Sequence, residues 1–73
     1  MAARQFHGTI KGKDKGGNGA ALTVYRKGGS YWLVNSSGYE HLVHPSNEKR
    51  GSEGLIREAS IVFHLQDMSF SPA

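Results

Sequence analysis

Two tight turns, Gly28-Gly29-Ser30 and Ser36-Ser37-Gly38, cut residues 20–44 into three segments of strand length. Glycine supplies the positive φ that short hairpin turns need. Strands joined this closely pair as an antiparallel meander. In residues 20–27, Leu22 and Val24 fall on one side and Thr23 and Tyr25 on the other, the period-two pattern of a half-buried strand. Tyr31-Trp32-Leu33-Val34-Asn35 is apolar on both sides and reads as an inner strand, with Trp32 taken as core. Residues 39–44 set Leu42 opposite Tyr39, His41 and Val43, and Pro45, which has no N–H for the ladder, stops them.

Upstream, residues 5–11 alternate Phe6, Gly8 and Ile10 with His7, Thr9 and Lys11, a further strand. Residues 12–19 carry four glycines with Lys13, Asp14, Lys15 and Asn18, a composition that reads as a flexible exposed loop. Residues 46–54 are polar, a loop or a single helical turn. The following stretch has two readings. Ile61, Val62 and Phe63 favour a strand over residues 58–66 with a bulge near Asp67. Leu55, Ile56, Ala59, Val62 and Phe63 also fit one face of a helix over residues 55–63. The strand is preferred because Gly54 weakens a helix start. Residues 71–73 read as a frayed tail. The expected fold is mainly β and a single domain over residues 1–73. It is a compact antiparallel sheet or small SH3-like or OB-like barrel of four or five strands, with one short helix as the alternative.

A chain of 73 residues with 37% hydrophobic content and no cysteine excludes several classes of function. Disulfides, thiolate zinc sites and a cysteine nucleophile are absent. Ligand pockets of roughly 300–1,000 Å³ need more lining than so small a core can spare. Gly8-Thr9-Ile10-Lys11-Gly12-Lys13 is one residue short of the P-loop spacing, and Asp14 stands where Ser or Thr is required. Gly17-Asn18-Gly19 lacks the third glycine of a dinucleotide fingerprint. No serine lies in a G-x-S-x-G elbow. His41 and His44 are three apart, which on a strand sends them to opposite faces. The expectation is a non-enzymatic protein with no cofactor and no metal. There is no apolar run long enough to span a membrane and no signal-peptide core near the N-terminus, so a cytoplasmic protein, monomeric and off the membrane, is expected.

The net charge of +3 is unevenly spread. Arg4, Lys11, Lys13, Lys15, Arg26 and Lys27 face only Asp14 within residues 1–27, whereas residues 28–73 carry more acids than bases. Such a split aims a basic surface at an anionic partner, with a solvated lysine loop as the plain alternative. Tyr25, Tyr31, Trp32 and Tyr39 lie on neighbouring strands flanked by these bases, the make-up of a single-strand nucleic-acid platform. Tyr25 shares its face with Thr23 and Lys27 and is the aromatic expected to be exposed. Arg4-Gln5-Phe6 is a second candidate, as an edge strand that could add to a partner's sheet, with an ordinary core strand as the favoured reading.

Its length, its Arg4-Gln5-Phe6 start and its Gly/Lys segment at residues 12–19 give the chain a further aspect. In these it resembles the small regulators of bacterial RNA polymerase encoded by lytic phages, those of Xanthomonas among them. The resemblance implies a non-enzymatic protein in the host bacterial cytoplasm that binds the β′ and β subunits of the polymerase. It would displace σ, inhibit initiation and promote terminator readthrough. The contact residues expected on this view are Arg4, Phe6, Lys11, Lys13, Lys15, Tyr25 and Arg26, because Arg and aromatic side chains anchor interfaces. The other expectation is a small β-barrel that binds nucleic acid through the same basic, aromatic-bearing face.

Overall fold

The computed structural model describes residues 4–73. Residues 1–3, part of the N-terminal segment read as lacking a signal core, lie outside them. Five antiparallel strands form one open sheet in the order β4-β3-β2-β1-β5. The strands are β1 (Gln5–Lys13), β2 (Gly19–Lys27), β3 (Ser30–Val34), β4 (Glu40–Leu42) and β5 (Gln66–Pro72). Two helices, α1 (Pro45–Glu48) and α2 (Ser52–Phe63), connect β4 to β5. The edges β4 and β5 do not meet, so the sheet is not closed into a barrel.

The meander forms as its turns dictate. Gly28 and Gly29 both take positive φ, 62° and 82°, so Lys27 pairs with Ser30 and the register of β2 on β3 is set from there. At the next turn the Asn35 side-chain oxygen accepts from the Ser37 and Tyr39 amides at 3.0 and 2.9 Å, and Gly38 takes φ 85°. The strand expected over residues 39–44 is shortened to Glu40–Leu42. The glycine-rich loop is also shorter than its composition suggests. Gly12 and Lys13 finish β1 and Gly19 begins β2. The turn between them is held by the Asp14 carboxylate, which accepts from the Gly16 and Asn18 amides.

The strand expected over residues 58–66 is a helix instead. Local β propensity at Ile61-Val62-Phe63 is overridden by the need of a bare apolar sheet face for a second layer. α2 lays Leu55 and Ala59 against Ile10, Leu22, Val24 and Leu33, and Val43 and Leu65 complete that core. Ile61, one of the three residues that favour a strand, is 61% exposed on the far side of the helix. Gly54 is not a flaw in this helix, because a Cβ there would fall on the Asn47 carbonyl oxygen. His64 ends α2 in the left-handed region, φ 56°, and Leu65 turns back into the core.

The tail read as frayed is part of β5, which pairs with β1 through Ile10↔Phe70, Thr9↔Ser71 and Gly8↔Pro72. The Ala73 amide donates to the His7 carbonyl at 2.9 Å. β1 therefore lies between β2 and β5 over Gly8–Lys13, as an inner strand, while Gln5 and Phe6 pair with β2 alone. The irregularity expected near Asp67 is present: the β1–β5 register shifts between Lys11 and Lys13, and Asp67 takes φ 50°. Among the described residues no helix is long and apolar enough to cross a membrane.

Candidate functional site

One face of the sheet is covered by α2; the other carries no second layer among the described residues. Alternation along each strand assigns its occupants. Opposite the buried Ile10, Leu22, Val24 and Leu33 stand Thr9, Lys11, Thr23, Tyr25, Trp32 and Val34. The registers Phe6↔Tyr25, Tyr25↔Trp32 and Trp32↔Leu42 line four large side chains across four strands. At the usual strand separation that row runs about 14 Å. Its two ends are open to solvent, Phe6 at 53% and Leu42 at 47%.

Cations lie on this row. The Arg4 guanidinium carbon is 4.1 Å from the centre of the Tyr25 ring, and Lys27 Nζ is 4.9 Å from the centre of the Trp32 ring. Both are cation–π distances. Phe6 meets Tyr25 edge-on, with centroids 6.3 Å apart. Arg4 Nη1 also reaches Glu40 Oε2 at 3.4 Å. Arg4, Glu40 and Lys27 rim a shallow depression floored by Tyr25, Trp32 and Val34. Lys11 and Lys13 extend the same face along β1, paired with Ala21 and Gly19. The result is an apolar, π-rich strip with positive charge above it and beside it.

The structure divides the residues singled out from sequence. Arg4, Phe6 and Tyr25 touch one another in the row, and Lys11 and Lys13 share its face. Lys15 sits in the turn beyond β1. Arg26 points to the opposite side, its guanidinium 5.5 Å from the Tyr31 ring centre. Trp32 is not core: Leu33 takes the buried seat and Trp32 joins the open face. As candidate contacts, Trp32 and Lys27 enter the sequence reading only as members of the aromatic platform and its flanking bases, and Glu40 and Leu42 do not enter it. The signal for Trp32 lay in the Gly28-Gly29 turn, since pairing Lys27 with Ser30 places Trp32 opposite Tyr25.

A second polar cluster lies on the helix side. Glu58 is 7% exposed, and its carboxylate accepts from Asn47 Nδ2 at 2.7 Å, His41 Nε2 at 2.6 Å and the His44 amide at 3.3 Å. Burial works to raise its pKa. The three donors and the charge of His41 outweigh that, so its carboxyl titrates below the ordinary value of 4.5. His44 turns elsewhere, its Nδ1 accepting from the Ser46 amide at 3.1 Å to cap α1. The two histidines therefore do not converge, and no group of three metal-ligating side chains occurs among the described residues. This cluster ties β4, α1 and α2 together and serves the fold.

An open hollow of about 260 Å³ at the other end of the sheet is lined by Asp14, Asn35, Ser36 and Phe63 among others. Asp14 and Asn35 are already engaged in their own turns. No family model, curated protein or solved structure matches this chain.

Proposed function

We propose that the protein is a non-enzymatic module that binds single-stranded nucleic acid on its open sheet face. The observation that carries this reading is the row Phe6, Tyr25 and Trp32, laid across three neighbouring strands with Arg4 and Lys27 over the rings. Sheets that recognise single strands use this arrangement: aromatics and Arg guanidinium planes stack bases, and nearby cations follow the phosphates. Lys11 and Lys13 provide that charge on the same face. The three rings span two strand separations, about 10 Å, which suits about two nucleotides. Trp32 is the sole tryptophan, so its fluorescence reports on the site directly. The test is titration with an eight-residue uridine oligomer at several salt concentrations. The expected result is quenching with an affinity that falls steeply as salt rises. No change in Trp32 emission and no binding by calorimetry at low salt would end this reading.

A second reading follows the resemblance to phage regulators of bacterial RNA polymerase. It is favoured by the exposed apolar ends of the row, Phe6 and Leu42, which with Arg4 and Tyr25 suit anchoring on a protein surface. On this reading the same face docks on the β′ and β subunits, and the basic face speeds encounter with an anionic assembly. Binding to purified core polymerase free of nucleic acid, lost on Phe6→Ala, would support it; failure to bind the purified enzyme would exclude it.

A further inference from the structure

We propose that the Arg4–Glu40 pair reads a base, and that the base is guanine. This rests on the single-strand reading of the open face and adds a specificity to it. A carboxylate on the edge strand of a basic nucleic-acid face repels phosphate, so its place beside Arg4 invites another explanation. Glu40 lies on the rim of the depression floored by Tyr25, Trp32 and Val34, with Arg4 Nη1 at 3.4 Å. Beside an aromatic floor that Arg4 and Lys27 now cover, this sets a two-oxygen acceptor next to a fork of donors. The pair is long, and both side chains are about half exposed, 50% and 44%. Such a pair is weakly held and gives way readily to better partners.

Guanine complements this arrangement better than the other bases. Its Watson–Crick edge sets two donors, N1–H and N2–H, side by side, matching the two oxygens of one carboxylate. Its O6 and N7 are the acceptors that an Arg fork takes in two-pronged fashion. Adenine and cytosine offer one exocyclic amino group next to an acceptor, and uracil offers a single N–H between two carbonyls. Each of these leaves one Glu40 oxygen facing a lone pair or nothing. The proposed contact is therefore Glu40 to N1–H and N2–H and Arg4 to O6 or N7, with Arg4 and Lys27 swinging off the Tyr25 and Trp32 rings so that the base stacks there.

The test uses RNA heptamers, all uridine or with one central guanosine, followed by Trp32 fluorescence and calorimetry. The guanosine heptamer is expected to bind about tenfold more tightly than the uridine one. Replacing guanosine by inosine, which lacks the N2 amino group, is expected to remove most of that gain. In Glu40→Gln the preference should collapse while affinity for the uridine heptamer holds or rises, a split that loss of folding would not produce. Equal binding of the two heptamers, or a preference that survives in Glu40→Gln, overturns the inference and leaves the single-strand reading standing. Binding of neither heptamer sinks both. Free 5′-GMP should compete only weakly; competition as strong as that of the guanosine heptamer would make this a mononucleotide site and overturn the strand-borne form.

Discussion

His41 Nε2 stands 2.6 Å from Glu58 Oε2, and this contact fastens the three-residue edge strand β4 to the helix that covers the sheet. The same carboxylate takes the Asn47 side chain and the His44 amide, so one buried acid collects donors from β4, from the start of α1 and from α1 itself. Its lowered pKa sets the sign of a pH effect. A carboxyl whose folded pKa is depressed contributes stability that is present above its unfolded pKa and is lost as pH falls through the folded one. Stability should therefore decline as pH is taken from about 5 down through the lower end of the carboxylate range. Glu58→Gln should be less stable at pH 6 and should show a flatter acid limb. Urea midpoints at pH 6, 5, 4 and 3 measure both. An acid limb identical in the two proteins would assign the effect to other carboxylates. Glu58→Ala, which strands three donors, should cost about 2–3 kcal/mol at pH 6.

Gly54 gives a prediction whose sign runs against helix propensity. Inside a helix, Gly→Ala is ordinarily favourable by about 1 kcal/mol. Here a Cβ would fall on the Asn47 carbonyl oxygen, 2.6 Å from the carbonyl carbon, where α1 crosses close to α2. The obstacle is backbone, which cannot rotate away. Gly54→Ala should destabilise by about 1–3 kcal/mol, read as a lower urea midpoint at unchanged slope. A stabilised variant would mean that the two helices are not this close.

The neighbours Trp32 and Leu33 separate stability from binding. Leu33 is fully buried beneath α2, and Leu33→Ala should cost about 2–5 kcal/mol. Trp32 lies on the open face, and its replacement by Thr, a good strand residue, should cost far less stability. Trp32→Thr should instead weaken binding of an oligouridine by about 1–3 kcal/mol, the worth of one stacked base. Thermal melts and calorimetry on both variants give the comparison. Intact binding by Trp32→Thr would remove the aromatic row from the site.

Why part of this was legible in the sequence and part was not has a physical reason in each case. Local rules place the meander, because Gly28-Gly29 and Asn35 through Gly38 specify their own turns and alternation then sorts Leu22 and Val24 from Thr23 and Tyr25. The same turn also fixes Trp32 opposite Tyr25, whereas the scarcity of large apolar residues in the chain points to Trp32 as core. The helix over Ser52–Phe63 follows from a nonlocal demand, since Ile10, Leu22, Val24 and Leu33 need cover that only the full topology reveals. β5 beside β1 lies equally beyond local patterning, because the segments that pair are some sixty residues apart. So does the Arg4–Glu40 contact, which joins residues 36 positions apart once four strands are in order.

Charge on the two sides of β1 and β2 provides the last prediction. Lys11 and Lys13 extend the open face, whereas Arg26 packs over Tyr31 on the side of α2. If bound phosphates lie along β1, each lysine that neutralises one releases a counterion, and the slope of log affinity against log salt carries about 0.7 per contact for a single strand. Lys11→Gln with Lys13→Gln should then weaken oligouridine binding at low salt and reduce the magnitude of that slope by about 1.4. Arg26→Gln should leave the slope unchanged, though the total charge of the chain falls in both. Net charge alone would move both variants in proportion to the charge removed; the sided reading requires the effect to follow the face. A slope that responds to Arg26 as strongly as to either lysine would show attraction by the whole molecule rather than a strand lying along β1.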